Sequence, residues 1–143
     1  MLEKNTTEYE SAVLIGVITQ LQDEEQSKEY LDELEFLTYT AGGEVLKRFT
    51  QKLEHPNPKT FINSGKLETV RQFIEEHEVG SAIFDDELSP SQVRNYQKAC
   101  EDIKVMDRTA LILDVFKQHA KTKEAKTQVE LAHLEYLLPR LTR

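Results

Sequence analysis

A continuous apolar run near the start of the chain constrains its fold more than any other feature. Residues Ala12–Ile18 read AVLIGVI, and none of these side chains is polar. A strand that is apolar on both faces is typical of a parallel sheet covered by helices on both sides. The shorter segments Ser81–Phe84 and Ile103–Met106 then predict two further strands of the same sheet.

Segments with helical spacing separate these strands. Residues 21–28 are polar and are predicted to form a loop, whereas apolar residues recur at helical spacing from Tyr30 onward and again across Ser64–His77. Ser89 is a predicted N-cap because it precedes Pro90, and proline is favoured at the first helical position. Each predicted strand is therefore followed by a predicted helix or helix start.

The segment Glu44–Leu53 alternates between apolar and polar side chains, which predicts a strand with one wet face at an edge of the sheet. Strands and helices alternate in this way along residues 1–107, which we interpret as one subdomain. The order predicts an α/β fold with a small, mostly parallel sheet flanked by helices.

Residues 108–143 form a second predicted unit, a single long C-terminal helix. The segment Thr109–Leu138 contains no Gly or Pro, so one helix of about 30 residues and roughly 45 Å is expected. Pro139 is expected to stop or kink it. The helix is apolar at both ends, and its second apolar end needs a partner, so it is interpreted as half of a helical pair. A homodimer through this unpaired end is one arrangement that would cover it.

Charge is distributed unevenly along the chain, whose net charge is −8. Residues 1–106 carry −10, whereas residues 107–143 carry +2. Because an acidic body repels nucleic acid, we expect contact with an anionic partner to involve one end only. From charge alone, a solvated helix surface is the simpler interpretation of that end. Its basic residues near the C-terminus are Lys117, Lys121, Lys123, Lys126, Arg140 and Arg143.

The chain has a single cysteine, Cys100, and no apolar run of the roughly 18 residues that a membrane span needs. Its N-terminus, MLEKNTTEYE, lacks the apolar core of a signal peptide. We therefore expect a cytoplasmic protein with no internal disulfide. The four histidines are far apart and share no spacing with the cysteine, so no metal site is predicted.

Three strings carry a family resemblance: FDDELSPSQ at Phe84–Gln92, DRTALILDVF at Asp107–Phe116 and QVELAHLEYLLPRLTR at Gln128–Arg143. A weaker string is FINSGKLETV at Phe61–Val70. In this order they resemble the N-terminal domain of the HflX family of translational GTPases, although the match is loose before residue 60. The resemblance implies an α/β architecture followed by a helical subdomain, in which the long helix pairs with a returning helix.

The same resemblance implies a ribosome-associated protein that binds the large (50S) subunit and acts in splitting or rescuing stalled ribosomes. It favours rRNA binding by the basic residues Lys117, Lys121, Lys123, Lys126, Arg140 and Arg143. The family's Gly-rich rRNA-probing loop, its returning helix and its GTPase domain are expected beyond Arg143. GTP and Mg²⁺ would then bind a region outside these 143 residues.

The 143 residues contain no G-x-x-x-x-G-K-[ST] string, which a phosphate-binding loop requires. We therefore expect no GTPase activity from this chain, whereas the full-length parent would be a GTPase. The nearest string, Asn63-Ser-Gly-Lys66, lacks the first glycine and the final Ser or Thr. It is interpreted as a helix start, with Gly65 and Lys66 as candidates for an anion contact, because helix N-termini favour anions.

An acidic cluster supports an alternative reading. Asp85 and Asp86 follow a buried strand, where α/β proteins place active sites and metal ligands. A stand-alone regulatory or enzymatic α/β domain would use this pair. Thr19-Gln20 follows the first strand, however, in place of the acidic pair that a Mg²⁺-binding receiver domain needs. A solvated loop before the next helix is the simpler interpretation.

Overall fold

The computed structural model describes residues 10–101 and 103–141. Within these ranges the chain forms four strands and five helices, which alternate until the last two helices follow each other directly. In chain order they are β1 (Glu10–Ile18), α1 (Glu24–Thr40), β2 (Gly43–Lys52), α2 (Ser64–His77), β3 (Ser81–Phe84), α3 (Pro90–Ala99), β4 (Lys104–Asp107), α4 (Arg108–His119) and α5 (Lys123–Leu141). The predicted α/β fold class is confirmed.

The four strands form one sheet in the order β2-β1-β3-β4, and every neighbouring pair is parallel. The apolar run that constrained the fold lies in β1, at the centre, where Val13, Leu14 and Ile15 are fully buried. β2 lies at one edge, as its alternating pattern predicted, and β4 lies at the other. The strand order reverses between β1 and β3, because the chain first adds β2 on one side and then crosses to the other.

Helices cover both faces of the sheet, and alternate residues of β1 point into two separate cores. Val13 and Ile15 belong to the core beneath α2 and α3, which also contains Phe84 of β3. Ala12 and Leu14 belong to the core on the other face, beneath α1 and α4. This two-sided burial explains why β1 is apolar without interruption.

Helix α1 begins earlier than the sequence predicted. The loop expected at residues 21–28 is wrong over residues 24–28, because α1 starts at Glu24. Asp23 is the N-cap, and its carboxylate accepts a hydrogen bond from the Gln26 backbone N–H at 2.8 Å. The Gln26 side chain in turn accepts from the Asp23 N–H, which completes a capping box. Polar residues there stabilise a helix end, so low hydrophobicity was a misleading sign of a loop.

The C-terminal region contains two helices, and the prediction of one continuous helix over Thr109–Leu138 is wrong. α4 ends at His119, Ala120 adopts an extended conformation, and α5 begins at Lys123. The Thr122 hydroxyl accepts from the Ala125 N–H at 3.0 Å and so caps the new helix. In one straight helix, the C-terminal apolar end would have no packing partner within the chain. The break at Ala120 lets α5 pack against α4, and this packing stabilises both helices.

The two helices form an antiparallel hairpin, here called the α4–α5 hairpin. α5 is a long C-terminal helix of 19 residues, and it continues past Pro139 to Leu141, so the proline does not stop it. Packing on α4 covers only part of its apolar surface. Leu131, Leu134 and Leu138 remain 52%, 54% and 62% exposed. Within the described part of the chain, no helix has the length and apolarity needed to cross a membrane.

Candidate functional site

The hairpin gathers the predicted lysines at its turn. Lys117 lies in the last turn of α4, Lys121 in the connection, and Lys123 and Lys126 in the first turn of α5. All four side chains are exposed, and none makes an ion pair with another residue in the ranges the structure describes. We call these four residues the basic tip. The carboxyl end of α4 and the amino end of α5 both lie here, so their opposite partial charges offset each other and the lysines supply the positive charge.

Arg140 is placed differently from the lysines. Its side chain is 18% exposed and lies 3.3 Å from the Glu87 carboxylate. The guanidinium stacks 3.7 Å from the centroid of the Tyr136 ring and donates to the Tyr136 carbonyl at 2.7 Å. Its charge is therefore engaged inside the protein. Arg143 lies outside the described residues, so its predicted role stays a prediction.

A buried carboxylate joins the base of the hairpin to the sheet. Asp107, the last residue of β4, is 1% exposed and caps α4 by accepting from the Ala110 N–H at 3.0 Å. It also accepts from the Leu88 N–H at 3.2 Å and from the Tyr136 hydroxyl at 2.8 Å. Burial, followed by the hydrogen bond to Asp107, raises the pKa of Tyr136. We call this arrangement the Asp107 junction.

Sequence reasoning missed the Asp107 junction. Asp107 stood inside a string that carried the family resemblance, but no role was assigned to it. Its position between a strand and a helical segment was the available signal, because Asp is a preferred N-cap residue. The contact with Tyr136 spans 29 positions and had no local signature. The structure therefore adds a residue that orients the basic tip without belonging to it.

A second feature lies where the strand order reverses, at the carboxyl ends of β1 and β3. In open α/β sheets this is the position where ligands usually bind. The cleft there has a volume of about 360 Å³. It contains both residues of the predicted acidic cluster. Its lining is Val17, Gln22, Tyr30, Glu33, Phe61, Asp85, Asp86 and Arg108.

Arg108 pairs with Asp85, one of the two residues of the acidic cluster, and with Glu33 beside it. Its guanidinium donates to Asp85 at 2.5 Å and to Glu33 at 2.6 Å. Burial still raises the pKa of Asp85, and it outweighs the opposing effect of the Arg108 hydrogen bond. Asp86 is exposed and accepts from the Glu87 backbone N–H at 2.9 Å. Across residues 10–101 and 103–141, no three His, Cys, Asp or Glu side chains gather as metal ligands.

The alternative reading, in which Asp85 and Asp86 serve a regulatory or enzymatic domain, stays a prediction. A site that uses both carboxylates needs them close together, and the structure places both in the cleft where the strand order reverses. It also pairs Asp85 with a cation from the same chain, so that this carboxylate is not a free ligand.

The raised pKa of Asp85 predicts a pH dependence of stability. A carboxyl group whose folded pKa lies above its unfolded value of about 3.9 stabilises the fold while protonated, and this stability is lost as the pH rises. We therefore expect the stability of the natural chain to fall relative to Asp85→Asn as the pH rises from about 4 through the raised pKa. Urea denaturation of both proteins at several pH values measures this difference, and parallel curves would contradict it.

The structure places Gly65 and Lys66 in the first turn of α2, after the N-cap Asn63. Gly65 has no heavy atom within 4 Å of where a Cβ would lie, so it forms no tight cradle. Lys66 makes no ion pair within the described ranges. Both observations fit the interpretation as a helix start. The anion contact proposed for these residues stays a prediction.

Comparison with known protein families identifies two matches along the chain. Residues 28–117 match the family described as GTP-binding GTPase N-terminal. Residues 119–143 match the family described as GTP-binding GTPase Middle Region. The boundary between the two matches falls at the turn of the α4–α5 hairpin.

Curated relatives agree with this assignment. The chain is 57% identical over 142 residues to the GTPase HflX of Flavobacterium psychrophilum, a match that covers 99% of this chain and 34% of that protein. It is 42% identical over 135 residues to the GTPase HflX of Escherichia coli K12, covering 94% of this chain and 30% of that protein. The chain thus spans about a third of the length of these relatives.

A solved structure is similar as well. It is the crystal structure of a GTP-binding protein from the hyperthermophilic archaeon Sulfolobus solfataricus in complex with GDP, which is 28% identical with a TM-score of 0.71. The match covers 92% of this chain and 38% of that one. The family matches cover both the α/β part and the helical part, and the HflX relatives align along nearly the whole chain. The chain therefore belongs to the HflX family of GTP-binding proteins and corresponds to their N-terminal region.

Proposed function

We propose that this chain is the ribosome-binding region of an HflX-type GTPase and that it contacts rRNA of the large subunit through the basic tip. The observation that carries this proposal is the clustering of Lys117, Lys121, Lys123 and Lys126 at one turn, exposed and without ion pairs in the described ranges. Binding and hydrolysis of GTP with Mg²⁺ would belong to the parts of the relatives that this chain does not cover. Ribosome splitting or rescue would be the activity of the whole protein, in the cytoplasm.

The charge distribution supports contact through the tip rather than through the body. Residues 1–106 carry −10, which opposes the approach of a polyanion to the body. At the tip, four exposed lysines within ten residues of the chain present positive charge together. Arg140 is not included in the proposed contact, because Glu87 already pairs with its guanidinium.

The position of the tip suits a contact that leaves the cleft accessible. α4 begins with Arg108 at the carboxyl ends of the strands, in the cleft. Near its other end, the Gln118 side chain donates to the Ala41 carbonyl at 2.9 Å, just before the start of β2. The basic tip therefore lies towards the amino ends of the strands, whereas the cleft lies at their carboxyl ends.

The exposed leucines of α5 support a second part of the proposal. Leu131, Leu134 and Leu138 are each more than half exposed, although burying a leucine contributes about 1.5–3 kcal/mol. We expect a returning helix of the longer protein to cover them, beside its GTPase domain. In the 143-residue chain alone, the same residues would favour a homodimer.

Changing Lys121, Lys123 and Lys126 together to Gln tests the rRNA contact. Gln keeps helix propensity but removes charge, so fewer counterions are released on binding. We expect weaker binding to the large subunit and a salt slope that is smaller by about one unit for each lost phosphate contact. Co-sedimentation with large subunits at several salt concentrations measures both effects, with the three changes introduced into the longer protein.

A matched control changes Lys28, Lys59 and Lys98 to Gln, which removes the same charge from exposed positions of the α/β body outside the candidate anion contact. We expect this variant to bind as the natural protein does, and both variants to keep its melting temperature, because the tip side chains are exposed. Equal binding by the tip variant and the natural protein would exclude these lysines from the interface. Equal loss in both variants would show that only overall charge matters.

A further inference from the structure

A groove runs along the open edge of the sheet, beside β4. It has a volume of about 740 Å³ and lies between α3 on one side and the α4–α5 hairpin on the other. The proposed rRNA contact uses only Lys117 from this lining. The groove is lined by Pro90, Val93, Arg94, Gln97, Lys104, Val105, Met106, Ala110, Leu113, Asp114, Lys117, His133, Tyr136, Leu137 and Arg140.

The rim of the groove is positively charged, in contrast to the protein as a whole. Arg94, Lys104 and Lys117 are exposed and make no ion pair with any residue in 10–101 or 103–140. Asp114 is the single acidic residue of the lining. On a chain with a net charge of −8, such a concentration of unpaired cations favours an anionic occupant.

The floor of the groove is the backbone of an edge strand. Among the strands in residues 10–101 and 103–141, β4 is hydrogen-bonded only to β3, along one side. The Lys104 N–H donates to the Gly80 carbonyl at 3.0 Å, towards β3. Because successive residues of a strand direct their backbone groups to opposite edges, Val105 directs its N–H and carbonyl into the groove. Such an edge can pair with another extended segment.

Apolar side chains lie beside this edge and would contact alternate residues of an added strand. Val93 and Val105 lie on the side of α3, and Leu113 and Leu137 on the side of the hairpin. β4 itself has four residues, so an added strand of similar length would be about 13 Å long. The groove thus offers main-chain pairing, apolar contacts and a cationic rim along one short strand.

We propose that this groove binds an extended acidic segment of a partner protein, which adds to β4 as a fifth strand. Its main chain pairs with β4 at the floor, its apolar side chains contact the two walls, and its carboxylates face Arg94 and Lys104 at the rim. Single-stranded RNA is a poorer fit, because bases bind by stacking on exposed aromatic rings. The lining has two aromatic rings, His133 and Tyr136, and the guanidinium of Arg140 already stacks on Tyr136.

The test selects binders from a library of short random peptides on the immobilised chain. We expect peptides rich in acidic and β-branched residues. A selected peptide should bind at least about tenfold more weakly to the double variant Arg94→Glu, Lys104→Glu, because like charges then oppose each other along the rim. The matched variant Lys59→Glu, Lys98→Glu changes two exposed lysines that do not line the groove, and it should bind as the natural chain does. Neither pair belongs to the basic tip, so rRNA binding and peptide binding can fail independently.

Two further measurements distinguish strand addition from other ways of filling the groove. Methylating alternate backbone nitrogens of the peptide should abolish binding, because it removes the donors that pair with β4. Hydrogen exchange at the Val105 amide should slow when the unmodified peptide binds. Absence of any selected peptide, or binding that survives methylation, overturns the proposal. Tighter binding of a uridine oligonucleotide that depends on Arg94 and Lys104 overturns it in favour of RNA.

Discussion

Replacing Asp107 by alanine is expected to lower the free energy of unfolding by about 3–5 kcal/mol. The substitution leaves the Leu88 N–H, the Ala110 N–H and the Tyr136 hydroxyl without their shared acceptor. It also removes the N-cap of α4, which alone costs about 1 kcal/mol. A domain of this size is typically stable by only about 5–15 kcal/mol, so the change removes a large fraction of the total. Urea denaturation followed by circular dichroism measures the effect.

Two companion variants show whether the shared acceptor is responsible. Tyr136→Phe removes one of the three hydrogen bonds and is expected to cost about 1 kcal/mol. Asp86→Ala removes an exposed carboxylate that, like Asp107, lies at the carboxyl end of a strand. It should change stability by about 0.5 kcal/mol or less. A loss below about 1 kcal/mol for Asp107→Ala would mean that water replaces the carboxylate, and that the junction does not hold the hairpin.

Replacing Phe84 by alanine is expected to cost a further large amount, about 3–5 kcal/mol. The side chain is fully buried in β3, and its ring contacts two others edge to face. The Phe61 centroid lies at 5.4 Å and the Tyr96 centroid at 4.7 Å. The substitution therefore opens a cavity and also removes both aromatic contacts.

The reactivity of the Cys100 thiol provides an independent measurement of the effect of Phe84→Ala. It is buried in the core that contains Phe84, and burial raises the pKa of its thiol. The thiol should therefore react slowly with a disulfide reagent until the protein unfolds, and faster in Phe84→Ala. Phe36→Ala is a suitable control, because the Phe36 side chain is 70% exposed and should matter little. Equal stability of the two variants would contradict the assigned core.

The parts of the fold that were predictable depend on local pattern. The uninterrupted apolar run identified β1 as a strand buried on both faces, and the alternating pattern of Glu44–Leu53 identified an edge strand. The start of α1 was missed because capping residues are polar and were taken for a loop. The turn between α4 and α5 was missed because it contains neither Gly nor Pro. An extended Ala120 and a capping Thr122 form it instead.

The candidate site was predictable only in part, for a related reason. The lysines were visible as a cluster in sequence, but the hairpin turn that brings them to one end was not. Arg140 looked equivalent to them, whereas its environment is set by Glu87, which is 53 positions away in sequence. Contacts of that separation depend on how elements pack, and a single sequence carries no local signal for them. The groove beside β4 is hidden from sequence in the same way, because three helices and a strand build it.

The position of β1 in the sheet has a consequence for synthesis on the ribosome. β1 is made before the other strands of the described sheet, yet it pairs with β2 from Glu10↔Gly43 onward and with β3 from Ala12↔Ser81. A nascent chain therefore carries a strand that is apolar on both faces, with one edge unpaired until Phe84 has left the exit tunnel. Apolar strands with an unpaired edge favour aggregation until their pairing partners have been synthesised. Slow translation between β2 and β3 would lengthen that exposure, so the strand at the centre of the sheet is the one that most depends on prompt completion of the chain.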